Sequence, residues 1–164
     1  MFRRALVNLS SSGAGYPVSK RGMNSTIPVP YCLETRMANR YGEAALMAVR
    51  MDTYGKALSP AERWDDAVKK LYPTSPAGQK KGAPRTAFVG LCDAGLVKGI
   101  AAGNYSSGNR NKDYAIHAVT LLGAGTHKTV TQLWAAVTED QDVQHGSQMD
   151  VVLALWKNGL IVAP

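Results

Sequence analysis

Thr86-Ala87-Phe88-Val89-Gly90-Leu91-Cys92-Asp93-Ala94-Gly95-Leu96-Val97 decides the fold. Wound as a helix, residues 86–94 are apolar on almost every side, so the segment belongs inside a core. Gly95 stands where a left-handed residue ends a helix. Leu91 and Leu96 are spaced for the hydrophobic contact that closes a Schellman motif. The plan recurs near the C-terminus as Met149-Asp150-Val151-Val152-Leu153-Ala154-Leu155-Trp156, followed by Asn158-Gly159-Leu160-Ile161. Phe88–Val97 aligns with Val152–Ile161 without a gap.

Each buried segment is preceded by two amphipathic ones. Tyr41, Ala44, Ala45, Ala48 and Val49 share one helical face. Ser59-Pro60-Ala61-Glu62 is a capping box that opens a second helix, striped by Trp64, Ala67, Val68, Leu71 and Tyr72. A loop rich in Pro, Gly and Lys separates Pro73 from Pro84, which is expected at the first position of the third helix. In the second half the stripe is Tyr114, Ala115, Ala118, Val119, Leu121 and Leu122, with Lys112-Asp113-Tyr114 echoing Asn39-Arg40-Tyr41. Thr129-Val130-Thr131-Gln132 is the second capping box, and Trp134 answers Trp64. Ser147-Gln148-Met149-Asp150 has the spacing to cap the sixth helix. The reading is an internal duplication, with three-helix units at about residues 39–97 and 112–161. One unit of roughly 60 residues buries too little surface to stand alone. The two are therefore expected to form one all-α, six-helix domain over residues 37–164, with helices three and six as its central layer. Only Leu96–Ile100 suggests a short extended segment.

Residues 1–36 differ. Ser10-Ser11-Ser12-Gly13, Tyr16-Pro17 and Ile27-Pro28-Val29-Pro30 carry no sustained period, so a flexible tail is expected, with Met37 as the natural start. The 164 residues are 45% hydrophobic, which suits one globular domain. No apolar run approaches the roughly 18 residues of a membrane span. Cys32 and Cys92 form neither a disulfide framework nor a zinc set, and a cytoplasmic location suits them.

Charge supplies the functional lead. The net charge is +7, and residues 69–112 hold eight Lys/Arg against Asp93 alone, while residues 113–164 hold two against five acids. Lys80, Lys81 and Arg85 flank Pro84, where the free N–H groups of a helix start favour an anion. Lys98, Arg110 and Lys112 are expected to converge there from the connection between the repeats.

Other chemistry finds less support. His117, His127 and His145 have no second ligand at metal-binding spacing, so neither metal nor cofactor is expected. Cys92 reads as a small core residue. Ser147 and Asp150 read as a cap, and Asp65-Asp66 and Glu139-Asp140 as wet-face charges that could otherwise pair as acid and base. Gly78-Gln79-Lys80-Lys81-Gly82 lacks the spacing of a phosphate loop. A helix-turn-helix would need polar residues on the helix that enters the major groove, and neither apolar segment offers them.

Lys81–Cys92, Gly95–Ile100, Asn111–Ala115 and Gln148–Trp156, with Tyr41-Gly42 and Ser59-Pro60…Trp64, resemble a family of small bacterial helical proteins of unknown function, over about residues 38–161. The resemblance implies a compact helical protein and brings no activity or catalytic residue. The function expected is a non-enzymatic binding module with a basic, anion-seeking surface for phosphate, a nucleic-acid backbone or an acidic protein partner. A protein-interaction or assembly component is the alternative, and an enzyme of unrecognised type ranks third.

Overall fold

A computed structural model describes residues 39–139 and 141–162; the expected tail, Cys32 and Asp140 lie outside them. The described chain is helical, with six helices of nine or more residues and one single turn. α1 spans Arg40–Arg50, α2 Pro60–Leu71, the turn α3 Pro76–Gln79, α4 Gly82–Asp93, α5 Arg110–Gly123, α6 Val130–Thr138 and α7 Gln148–Lys157. None is long and apolar enough to cross a membrane.

The apolar patterns set the layers. α4 is buried without interruption from Ala87 to Asp93, and α7 from Gln148 to Leu155 except at Asp150. The other long helices bury a single stripe: Tyr41, Ala44, Ala45 and Ala48 on α1, and Trp64, Ala67 and Val68 on α2. Ala115, Ala118, Val119 and Leu122 do so on α5, and Leu133 and Val137 on α6. α4 packs against α2, α5 and α7, and α7 against α1, α4, α5 and α6. Contact thus crosses between the halves, since α1 leans on α7 and α5 on α4. Each wholly buried Leu or Phe of this layer, such as Leu91, Leu155 and Phe88, contributes about 2 kcal/mol.

α4 and α7 end alike. Gly95 and Gly159 have φ of +70° and +67°. Leu96 N–H donates to Leu91 O and Leu160 N–H to Leu155 O, both at 3.0 Å, which are Schellman bonds. The chains leaving these turns then pair antiparallel through Val97 and Ile161. Lys98 N–H donates to Leu160 O and Val162 N–H to Leu96 O, both at 2.8 Å. The extended segment expected at Leu96–Ile100 is this one bridge.

Local starts differ from the expectation in four places. Pro84 is the third residue of α4, because Gly82 and Ala83 continue the helix and proline's missing N–H has no intrahelical acceptor anywhere in a first turn. The Pro/Gly/Lys loop contains α3, nucleated by Ser75 Oγ accepting from Gly78 N–H at 3.2 Å. α5 starts at Asn109, not Lys112, because the Asn109 side chain caps Asn111 N–H at 2.7 Å. Ser59–Glu62 forms its box in full, but at Thr129 only half forms, since Gln132 reaches Lys128 N–H instead.

The two glycine turns differ in surroundings. A Cβ at Gly159 would meet nothing within 4 Å, whereas one at Gly95 would come 3.1 Å from Ala102 Cβ. Gly159→Ala should therefore cost about 1 kcal/mol, the penalty for a left-handed alanine. Gly95→Ala should cost visibly more, because Ala102 sits in a connection that Asp93 pins down. Urea melts of the two variants check this; an equal or smaller loss at Gly95 would contradict it.

Candidate anion-binding site

Three helices begin at one point. Ser147, the residue before α7, has φ +74° and a buried side chain with no cap bond of its own. Its Oγ instead accepts from Asn39 Nδ2 (3.2 Å), at the cap of α1, and from Lys81 Nζ (3.5 Å), at the cap of α4. Gly146 lies so close to the first turn of α4 that a Cβ there would come 2.9 Å from Ala83 Cβ. The capping role expected for Ser147 is thus overturned. A left-handed serine costs about 1 kcal/mol, and here it turns its hydroxyl toward two neighbouring helices.

His145 supplies the missing cap. Its Nε2 accepts from Met149 N–H at 3.2 Å, and its ring stands edge-on to Trp134 with centroids 5.0 Å apart. An accepting Nε2 is unprotonated, so the imidazole is neutral. Burial pushes its pKa down, the Asp150 carboxylate 4.0 Å away opposes that, and Lys81 reinforces it.

Lys81 stands at the head of α4, with its ammonium 5.1 Å from the Tyr41 ring centroid. Tyr41 is fixed by its hydroxyl donating to Gly78 O at 3.1 Å. Of the long helices described, α4 alone begins with neither a side-chain cap bond nor an acid in its first turn. Lys80 beside it is exposed and has no ion-pair partner among the described residues.

The other expected cations are placed differently. Arg85 forks onto Asp65, with Nε–Oδ1 2.9 Å and Nη2–Oδ2 3.2 Å, so it is already neutralised. Lys112 lies across Gly90, and its ammonium meets the buried Asp93 carboxylate at 3.1 Å. Lys98 follows the far end of α4, about 18 Å along a 12-residue helix. Arg110 opens α5, whose Asn111 Oδ1 accepts from Gln148 Nε2 at 2.9 Å beside the start of α7. Of the six cations, Lys80 and Lys81 stand at the head of α4, Arg85 and Lys112 are paired with carboxylates, Arg110 opens α5, and Lys98 follows the far end of α4.

Asp93 is what the charge reading missed. Burial pushes its carboxyl up, but the Ser106 hydroxyl, the Tyr105 N–H and the Lys112 ammonium outweigh burial and hold its pKa low. Ser106 N–H donates to the same carboxylate at 3.2 Å, so one acid ties down the connection between the halves. The available signal was the acid itself, solitary among eight cations and set in an apolar helix.

Cys92 is buried and its thiol is pushed up to about 12, chiefly by burial. Asp65 pairs with Arg85, and Asp66 with Lys69 at 3.6 Å. No group of three His, Cys, Asp or Glu among the described residues could hold a metal. Gly78 sits against the Tyr72 ring within α3, so Gly78–Gly82 is no phosphate cradle. α4 and α7 are too deeply buried to enter a DNA groove.

Against known proteins, the model of the family described as "Family of unknown function (DUF6979)" matches residues 38–162, and the chain belongs to that family. No curated protein and no solved structure matches.

The cap at α7 gives the bundle a pH dependence. His145 is depressed in the folded chain, so its contribution to stability is present above the ordinary histidine value and is lost as the pH falls through the lowered one. Thermal melts from about pH 7 to 5 should show stability falling, and the fall should be shallower in His145→Gln. An unchanged acid limb in that variant would show that His145 carries none of it.

Proposed function

We propose that this member of the family is a non-enzymatic binding module that holds an anion at the head of α4. The ligand class is a phosphate, a nucleic-acid backbone or an acidic protein segment. The observation that carries the reading is an inverted charge pattern. Helix starts favour acids and disfavour cations, by about 0.3–1 kcal/mol each. Here Arg40, Lys81 and Arg110 stand at the first or cap position of three helices, and two of those meet at Ser147. Glu43 and Asp113 relieve α1 and α5 from within, and nothing relieves α4. Lys80, Lys81 and the leading N–H groups of Gly82 and Ala83 therefore form the most anion-hungry point in the described chain.

A protein-interaction role is the second reading. Tyr54, 89% exposed at a loop tip with φ +45°, favours it. Such a ring in water, on a backbone that disfavours any side chain, suits contact with another surface.

Binding of a heparin oligosaccharide across a salt series tests the first reading. Lys80→Ser/Lys81→Ser should fold normally and lower the slope of log K against log salt by about two. Lys98→Ser, at the far end of α4, should leave the slope nearly unchanged. Equal losses from both, or no polyanion or phosphate binding even at low salt, would overturn the site.

A further inference from the structure

A second site lies where the charge has the opposite sign. α6 and the segment after it border a cleft of about 470 Å³, within the size range of small-molecule sites. Its apolar wall is Trp134 with Val130. The indole is held in place, since Nε1–H donates to Val143 O at 2.8 Å and the Tyr114 and His145 rings stand edge-on to it at 5.3 and 5.0 Å. The cleft runs the length of α6, from Val130 and Thr131 at its start to Thr138 at its end, so the helix dipole gives it no single sign. Asp142 adds a carboxylate with no cation in salt-bridge range among the described residues. Among the described residues no Lys or Arg lines the cleft, and His145 faces it with its Nε2 lone pair engaged by Met149 N–H.

We infer that this cleft binds a small organic cation, a protonated amine or quaternary ammonium with a compact apolar body. An ammonium over an indole face gains cation–π attraction. Here the Asp142 carboxylate lines the same cleft as the indole, and among the described residues no Lys or Arg lines it to compete. The inference does not rest on the head of α4, which would take the opposite charge.

Choline chloride, titrated into the isotopically labelled full chain at constant ionic strength, tests it through the Trp134 indole N–H resonance. A saturable shift is expected. The uncharged isostere 3,3-dimethylbutan-1-ol should bind about tenfold more weakly, and Asp142→Asn, an exposed change, should weaken choline by about tenfold as well. If the alcohol shifts the resonance as readily as choline, if Asp142→Asn binds choline unchanged, or if no saturable shift is seen, the cleft is not a cation site. Anion binding at Lys80 and Lys81 is unaffected by any of these outcomes.

Discussion

α4 and α7 have almost no side that can face water, and the rest of the molecule is arranged to satisfy that constraint. Two such helices can cover each other on only one side each, so the remaining cover comes from the four helices with a single apolar stripe. The cover is exchanged between halves: α1 leans on α7, and α5 on α4. Neither half keeps a complete core if the other is removed. The paired glycine turns seal the far end, with Val97 and Ile161 closing it as a two-bond bridge. The two halves share the glycine turn, but their Tyr–Trp contacts differ: Tyr41 lies parallel to Trp64 at 6.5 Å, whereas Tyr114 stands edge-on to Trp134 at 5.3 Å.

The architecture was legible because it rests on periodicity and chain-local chemistry. An all-round apolar segment announces a central helix, and Gly95 and Gly159 announced their left-handed turns. What sequence could not supply was partnership across the fold. Arg85 and Lys112 read as anion-seeking cations, yet Asp65 and Asp93 reach them in space from 20 and 19 residues away. Ser147 had a capping residue's spacing, but its backbone turns left-handed and His145 takes the helix N–H instead. Trp64 and Trp134 hold equivalent positions but live differently. Trp64 is wholly buried and its indole N–H meets no acceptor among the described residues, while Trp134 donates to Val143 O and borders a cleft. Equivalence of position fixes packing; the neighbours fix chemistry.

Charge distinguishes the two proposed sites. At the head of α4, Lys80 and Lys81 oppose the helix dipole and face an unrelieved helix start. In the cleft along α6, Asp142 and the fixed indole of Trp134 share the lining, and among the described residues no Lys or Arg joins them. At the head of α4 the cations share the sign of the helix pole they stand on, which costs stability in the free chain and would be relieved by a bound anion. The scaffold cations follow the reverse logic: Lys112 and Arg85 are matched to carboxylates and hold elements together.

The central claim is that one core is shared by two halves that cannot stand apart. Native-state hydrogen exchange under rising denaturant measures it directly. The account expects the amides of α1, α2, α4, α5 and α7 to converge on a single opening free energy and denaturant slope. α3 and the exposed loop over residues 52–58 should exchange earlier. If residues 39–97 opened as a unit at a clearly lower free energy than residues 110–161, or the reverse, the shared-core account would be contradicted.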